Sequence, residues 1–250
     1  MSLELHHLHL SQSERVVWLL EELKVPYTLH VHDRDPKTGM APQHIKDINP
    51  FGTAPYFRDT TVSPPVSLSE SGAIVEYILT VYGGKTTPGS DVPRLTRTPD
   101  DKEYGDYLQW LHFANASLQP SFSMIMTFLL AGMSQDSPIV QVFSKRNATA
   151  LKLLDERLAG SKFLAGEHLS AADIMNVCSL STLRGFAPTV DLGPYPNILR
   201  YLKDVAERPA YLEALRKGDY GMEPMIQPKV KGFTQFESFK GALEKFNNQG

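Results

Sequence analysis

Two pairs of positions carry side chains of types that suit anion binding. Ser11 and Ser13 precede the apolar stripe of a predicted helix, and Glu70 and Ser71 stand at the start of a later helix. A hydroxyl group there can donate a hydrogen bond to an anion where the helix dipole is positive. Hydroxyl and acidic residues are also common N-caps, so helix capping is the alternative interpretation of both pairs.

The histidines and the cysteine predict no metal site. His6, His7 and His9 fall in a leucine-rich stretch without the acidic or cysteine partners of a recognised motif, which favours strand residues over metal ligands. Cys178 is the single cysteine, so an intrachain disulfide and a Cys-x-x-Cys motif are both excluded. This cysteine usage fits a reducing compartment, and we expect a cytoplasmic protein.

Alternating strands and helices position both pairs within residues 1–83. The predicted elements are a strand at 3–10, a helix through Val16, Leu19, Leu20 and Leu23, a strand at 27–32, a hairpin near 55–65 and a helix at 74–81. The polar side of the first helix carries Glu14, Arg15, Glu21, Glu22 and Lys24. This alternation is typical of a small α/β domain.

The rest of the chain predicts a linker and a second domain. Residues 84–99 are rich in glycine, proline and threonine, a composition typical of a linker. Residues 100–217 show helical spacing throughout, and Ser170 stands three positions before Asp173, as in a capping box that heads a helix through Leu183. We therefore expect an all-helical domain there.

Residues 218–250 form a C-terminal extension. Within it, residues 234–246 predict a short amphipathic helix with an apolar face of Phe236, Phe239, Leu243 and Phe246, preceded by an extended segment around Pro224 and Pro228. An isolated helix of this length is marginal in water. We expect it to pack on the N-terminal domain or on the rim of the cleft.

Charge and hydropathy restrict the partners. The 250 residues include 25 Lys and Arg against 28 Asp and Glu, a net charge of −3 without the basic footprint of a nucleic-acid binder. Uncharged runs stay short of the roughly 18 residues that span a bilayer. We expect neither a nucleic-acid nor a membrane partner.

Several motifs occur in one order along the chain. They are the β-α-β start, Asn49–Pro55, Glu70–Ser71, and Phe163–Gly166 followed by Ser170–Asp173. Together they resemble the cytosolic glutathione transferase family to about Lys217, most closely its bacterial and fungal, yeast-type branch. The resemblance implies a thioredoxin-like α/β domain, an all-α domain, and glutathione as cosubstrate with no metal.

The resemblance also implies a glutathione site. Glu70 would bind the ammonium and Ser71 the carboxylate of the γ-glutamyl end, while a cis Pro55 would present the backbone of Ala54 to the cysteinyl part. Thr53 departs from the lysine or glutamine frequent in relatives. Lys37, Arg34 and His44 are therefore the candidates for the glycyl carboxylate, each with an ordinary surface charge as its alternative.

The chemistry needs a stabilised thiolate, because a free thiol has a pKa near 8.5. Ser11 matches the family serine better than Ser13, and both are retained as catalytic candidates. The lack of a cysteine here argues against the cysteine-dependent branch. The candidates for the electrophile wall are Phe113, Asn115, Phe122, Met124 and Phe128, although aromatic residues at helical spacing are also ordinary core residues.

Three functions remain open from the sequence. The first is addition of glutathione to a hydrophobic electrophile, as in detoxification. The second is glutathione-dependent cis/trans isomerisation of a fungal secondary metabolite, which would use the same site. The third is a non-catalytic glutathione-binding module. Family members usually pair, so the resemblance also implies a homodimer.

Overall fold

A computed structural model describes residues 2–83 and 92–247, with side chains to residue 244. Part of the predicted linker, 84–91, and the side chain of Phe246 lie outside the described residues. The N-terminal elements are β1 (Leu3–Leu8), α1 (Glu14–Glu22), β2 (Thr28–His32), α2 (Ile45–Ile48), β3 (Tyr56–Asp59), β4 (Val66–Leu68) and α3 (Ser71–Val81).

The four strands form one mixed sheet in the order β2-β1-β3-β4. β1 and β2 are parallel, with His6 opposite His30, and β3 is antiparallel to β1 and β4, which confirms the predicted hairpin. Successive side chains of a strand point to opposite faces. Leu5 and His7 are therefore fully buried on one face of β1, whereas His6 is half-buried on the other. The α/β prediction is confirmed.

The second part is helical, as predicted. Its elements are α4 (Tyr104–Phe113), a π-helical turn (Ala114–Leu118), α5 (Gln119–Leu130), α6 (Pro138–Ala159), α7 (Ala171–Leu180), a 3₁₀ turn (Thr182–Phe186), α8 (Pro196–Ala206) and α9 (Pro209–Gly218). α7 is buried on all sides and ends three residues before the predicted Leu183. None of the described helices is long and apolar enough to cross a membrane.

The predicted capping box begins α7. The Asp173 carboxylate accepts the N–H of Ser170 at 2.8 Å and, on its other oxygen, the N–H of Leu164 at 2.8 Å. Tyr201 donates its hydroxyl to the same carboxylate at 3.1 Å. Asp173 therefore connects the 163–166 turn to the central helix.

Part of the polar side of α1 is buried. Glu14, Arg15 and Glu22 are at most 5% exposed, because α1 packs against α7 and α9 as well as α3. Buried charged groups need partners. Glu22, for example, accepts hydrogen bonds from Arg208 at 2.7 and 2.8 Å. α1 is therefore the interface helix between the two domains.

The C-terminal extension packs on the N-terminal domain, one of the two predicted places, and also against α5 of the helical domain. Its helix α10 (Glu237–Asn247) starts near the 36–38 loop, where the N–H groups of Glu237 and Ser238 donate to the carbonyls of Pro36 and Lys37 at 3.0 and 2.8 Å. Its apolar face of Phe236, Phe239 and Leu243 joins a cluster with Leu10 and Phe186. The helix starts three residues after the predicted Thr234.

Candidate active site

A cavity of about 580 Å³ opens between the two domains. One wall comes from the N-terminal domain and includes Ser11, Arg34, Thr53 and Ala54. The opposite wall comes from the helical domain and the extension, and its main members are Gln119, Phe122, Met126, Leu183, Phe186 and Phe239. The cavity is therefore polar on one side and largely apolar on the other, which suits a polar cosubstrate beside an apolar one.

The two predicted serines both lie in the loop between β1 and α1, but their surroundings differ. Ser11 lies on the cavity wall with 6% of its surface exposed, whereas Ser13 is fully buried and is not part of that wall. The Ser11 carbonyl accepts the N–H of Glu14 at 3.1 Å, so Ser11 lies just before the N-terminus of α1. Only Ser11 of the two can meet a ligand in the cavity.

The Ala54–Pro55 peptide bond is cis, as the resemblance implies. Ala54 lies on the cavity wall and is 6% exposed, while Thr53 beside it is exposed. The Thr53 carbonyl accepts the side-chain N–H of Asn49 at 2.8 Å, which fixes the loop from within. This segment brings the backbone of Ala54 to the cavity opposite Phe122.

Ser71 begins α3 and is 1% exposed, and Glu70 before it is exposed. Glu70 makes no side-chain capping bond, which disfavours the capping interpretation for that residue. The Ser71 hydroxyl accepts hydrogen bonds from Arg15 Nη1 and Asn115 Nδ2, both at 3.3 Å. Ser71 does not itself line the cavity; it adjoins the cavity through Gln12, whose Oε1 lies 3.4 Å from the same Arg15 nitrogen.

Arg15 is the residue that the sequence analysis missed. Its guanidinium is fully buried, and burial lowers its pKa. In the described part of the chain, its hydrogen-bond acceptors are neutral: Asn115 Oδ1 at 2.7 Å, the hydroxyls of Ser71 and Ser179, and Gln12. A buried cation with neutral partners favours a bound anion next to it. In the sequence, Arg15 is one of several charged residues on the polar side of this helix, so no local signal distinguished it.

The structure shows which of the basic candidates for the glycyl carboxylate line the cavity. Lys37 and His44 do not line the cavity: Lys37 lies in the loop that holds α10, and His44 Nε2 lies 3.0 Å from His32 Nδ1. Arg34 does line it, but its guanidinium donates to the carbonyls of His9, Leu10 and Gly39, each at 2.8 Å. Lys46, which was not predicted, is on the cavity wall and exposed.

Phe122 is the one predicted electrophile residue on the cavity wall. Phe113 packs edge-on against Trp110 at 5.0 Å in the core, and Phe128 faces Phe143 at 5.4 Å. Asn115 contacts Arg15 and Ser71, and Met124 is half-buried outside the wall. Phe113 and Phe128 therefore fit the alternative interpretation, ordinary core residues at helical spacing.

One described group could hold a metal ion. Glu4, His6 and His30 each offer one donor atom, and these atoms lie within 4.8 Å of one another on the half-exposed face of the sheet. Glu4 is thus an acidic neighbour that the sequence analysis did not pair with the histidines. Burial, together with His30 and His32, lowers the pKa of His6 to about 4. That no metal is needed stays a prediction.

Cys178 is an inert thiol in this structure. It is 1% exposed, and burial raises its pKa well above the usual range. Its Sγ lies 3.6 Å from the Ser11 carbonyl oxygen, behind the cavity wall. Reactive cysteines are accessible thiolates. A cysteine nucleophile therefore has no place in this cavity.

Models of one protein family match both halves of the chain. The model described as glutathione S-transferase, N-terminal domain, matches residues 5–86, and the model described as glutathione S-transferase, C-terminal domain, matches residues 118–209. The chain belongs to the glutathione S-transferase family. The two-domain architecture described above is that of the family.

Individual relatives agree. Glutathione S-transferase 3 of Schizosaccharomyces pombe is 33% identical over 228 residues, which cover 85% of this chain and 86% of the relative. A glutathione S-transferase structure from Actinobacillus pleuropneumoniae is 30% identical with a TM-score of 0.73, covering 87% of this chain and 94% of that one. A family member from Pseudomonas fluorescens, solved with two glutathione molecules bound, is 22% identical with a TM-score of 0.70 over 86% and 92% of the two chains and is similar in fold.

Proposed function

We propose that this glutathione S-transferase activates the glutathione thiol at Ser11 and adds it to an electrophilic small molecule held in the same cavity. The observation that carries the proposal is the cavity itself. It has Ser11 and Ala54 on one wall and the apolar side chains of Phe122, Met126 and Phe186 on the other. A thiolate formed at Ser11 would face the apolar wall directly.

Glutathione would lie along the N-terminal wall. Ser71, with the buried Arg15 behind it, would bind the γ-glutamyl carboxylate, and the exposed Glu70 would bind the ammonium. The backbone of Ala54 would pair with the cysteinyl part. Lys46 replaces Lys37 and His44 as the proposed partner of the glycyl carboxylate, because it is the exposed cation on this wall.

The electrophile would occupy the apolar side. Phe122, Met126, Leu183, Phe186 and Phe239 form that wall. Methionine and aromatic side chains adapt to ligands of different shape. We therefore propose a hydrophobic small molecule as second substrate, in keeping with a detoxifying role.

Two other outcomes remain part of the test. Addition followed by elimination would isomerise the substrate without net conjugation, and no residue of the cavity favours this course. A product of unchanged mass in mass spectrometry would identify it. Tight glutathione binding without turnover of an aryl halide, an isothiocyanate or a hydroperoxide would identify a non-catalytic module instead.

The deciding variant is Ser11→Ala. Its loss of a hydrogen bond to the thiolate is expected to raise the apparent pKa of bound glutathione by about 1–2 units with little change in affinity. Thiolate absorbance against pH measures this, and calorimetry gives the affinity. Ser123→Ala removes a hydroxyl from the opposite wall of the same cavity and should leave the titration unchanged. An unmoved titration in Ser11→Ala would reject Ser11 as the activating group.

The proposal includes the organisation of the protein. Residues 1–83 would form the glutathione-binding domain, 84–99 a linker, 100–217 the helical domain and 218–250 a C-terminal extension. Two chains would pair as a homodimer in the cytoplasm. Light scattering should give twice the mass of one chain, and a single-chain mass across the accessible concentration range would contradict pairing.

A further inference from the structure

A chain of buried polar groups runs from the cavity wall into the molecule. Ser11 Oγ lies 2.7 Å from Ser13 Oγ, which lies 2.8 Å from His7 Nδ1. On the far side of the ring, His7 Nε2 lies 3.5 Å from Asp219 Oδ1. His7 and Ser13 are fully buried and Asp219 is 2% exposed, so Ser11 alone connects this chain of groups to the cavity.

The hydrogen-bond partners of these groups indicate which atoms carry the hydrogens. Within the described residues, His7 Nε2 makes no hydrogen bond, and it faces the Asp219 carboxylate, so this nitrogen carries a proton. Nδ1 of a neutral ring is then an acceptor. Ser13 Oγ accepts the N–H of Leu8 at 3.1 Å and donates its own proton to Nδ1. The Ser11 hydroxyl in turn donates to Ser13, which leaves the Ser11 oxygen able to accept a proton from the cavity.

Gly218 permits this arrangement. A Cβ atom at position 218 would lie 2.9 Å from His7 Nε2, closer than real side chains approach, and 3.2 Å from Cε1. The absent side chain lets the end of α9 pass directly over the imidazole. Asp219 follows at once and is fixed by the N–H of Leu10, which donates to Oδ1 at 2.7 Å.

We propose that His7 accepts the proton of the glutathione thiol through Ser11 and Ser13, and that Asp219 stabilises the resulting imidazolium. The S–H bond breaks as Ser11 Oγ takes its proton. The original Ser11 proton passes to Ser13 Oγ, and the original Ser13 proton passes to His7 Nδ1. Both serines end neutral with their hydroxyls reversed, so that Ser11 now donates to the thiolate. This inference rests on the proposed function and needs no further reactant.

The other titratable groups around His7 are compatible with this role. Burial raises the pKa of Glu14, and Asp219 adds to the rise, which favours its neutral form. Burial lowers the pKa of His9, whose Nε2 lies 3.7 Å from Asp219 Oδ1. Burial favours the neutral forms of both groups, and Asp219 is the acidic group that lies against the ring.

Three further groups act on this region from neighbouring elements. Burial lowers the pKa of Arg34 to about 10, so it stays charged, and it donates to the Leu10 carbonyl at 2.8 Å. Burial lowers the pKa of His32 on β2 and raises that of Cys178 on α7. His32 and Cys178 are thus neutral, and the charge that opposes Asp219 most directly is Arg34.

Proton counting distinguishes this relay from loss of the thiol proton to solvent. Wild-type enzyme is mixed with glutathione in weak buffer with a pH indicator, at a pH where free glutathione is thiol and bound glutathione is thiolate. Release to solvent would give about one proton per thiolate formed, whereas retention on His7 should give only a small fraction of that. S-methylglutathione, which lacks the thiol proton, supplies the ligand blank.

The variants give the second comparison. His7→Gln and Asp219→Asn should each release about one proton per thiolate and raise the apparent pKa of the bound thiol by about 1–2 units. Asn at 219 keeps an acceptor for Leu10. Ser13→Ala should behave in the same way although it leaves His7 and Asp219 in place. His168→Gln removes an exposed histidine elsewhere and should match the wild type.

A spectroscopic signature completes the test. In ¹⁵N-histidine-labelled wild-type enzyme, the His7 signals are identified by their absence in His7→Gln. Glutathione should move them to imidazolium values, and S-methylglutathione should not. Full proton release by the wild type with a neutral His7 ring would overturn the relay alone, whereas no binding of glutathione at all would refute the proposed function and the relay with it.

Discussion

Replacing Arg15 by methionine is expected to weaken glutathione binding by about 2–3 kcal/mol, or roughly 30- to 150-fold. The guanidinium is fully buried, and its described acceptors, Asn115 and Ser71 among them, are neutral. A γ-glutamyl carboxylate at Ser71 would therefore supply its compensating charge. Methionine keeps most of the side-chain volume while removing the charge, and calorimetric titration measures the loss.

A truncated ligand separates this effect from general damage to the site. A glutathione analogue that lacks the γ-glutamyl α-carboxylate should bind wild type and Arg15→Met with similar affinity. Ser71→Ala and Glu70→Ala should each cost about 1.5–3 kcal/mol with glutathione itself. Arg216→Met removes an exposed arginine from α9 and is the matched control. Equal losses for glutathione and the analogue would show that Arg15 does not act on the carboxylate.

Local patterns predicted the elements that hold this site. The apolar stripe of α1, the hairpin of β3 and β4 and the capping box at Ser170 each depend on residues close in sequence, and the structure confirms all three. The motif that contains Pro55 and the Glu70–Ser71 pair also consist of residues close in sequence, and they carried the resemblance to the family. Predictions from such local features agree with the structure because local propensity and tertiary packing favour the same conformation.

The sequence pattern does not predict which residues that are far apart in the chain come into contact in the fold. Ser11 and Ser13 look alike in sequence, and only the fold shows that one faces the cavity while the other contacts His7. Asp219 comes from the far end of the chain. Phe113 and Phe128 were candidates because the resemblance places the electrophile cleft at these helices, and helical spacing alone does not distinguish a cavity wall from the core, where both lie.

The same limit applies to α1. A polar stripe normally indicates a solvated face. Here the stripe faces the helical domain, and Glu14 is buried against Thr182 and Tyr211, which both donate to its carboxyl group. The sequence pattern therefore does not identify Arg15 as a site residue. Its role depends on partners that three other helical segments supply.

The extension gives the second large expected effect. Phe236, Phe239 and Leu243 are each at most 7% exposed, and Phe239 is part of the cavity wall. A Cβ atom at Gly39, which has φ +68°, would lie 2.7 Å from the Phe239 ring. The helix is thus closely fitted to the N-terminal domain at the point where it closes the cavity.

The position at which the extension is truncated determines which contacts are lost. Deletion from Gly218 would also remove Asp219 and the carbonyls of Met225, Gln227 and Pro228, to which the buried Arg184 donates at 2.6, 2.8 and 3.0 Å. An uncompensated buried arginine would destabilise the core for a reason unrelated to α10. Removal of residues 234–250 leaves these contacts intact and tests the helix alone.

Removal of residues 234–250 is expected to lower the free energy of unfolding by about 2–5 kcal/mol, since the apolar face of α10 loses its burial while the chain regains conformational entropy. For a chain of this size, that corresponds to a melting temperature lower by about 5–15 °C. Calorimetry measures both quantities. Phe239→Ala, which opens the cavity wall without removing the helix, should show a smaller version of the same loss.

The kinetic consequence concerns the electrophile. With Phe239 gone, kcat/KM for bulky electrophiles should rise relative to that for small ones, because the cavity widens on its apolar side while the glutathione wall is unchanged. The KM for glutathione should therefore stay close to the wild-type value. Lys240→Ala alters an exposed position of the same helix and should change neither property. A truncated protein with wild-type melting temperature and wild-type electrophile selectivity would show that α10 neither stabilises the fold nor limits the cavity.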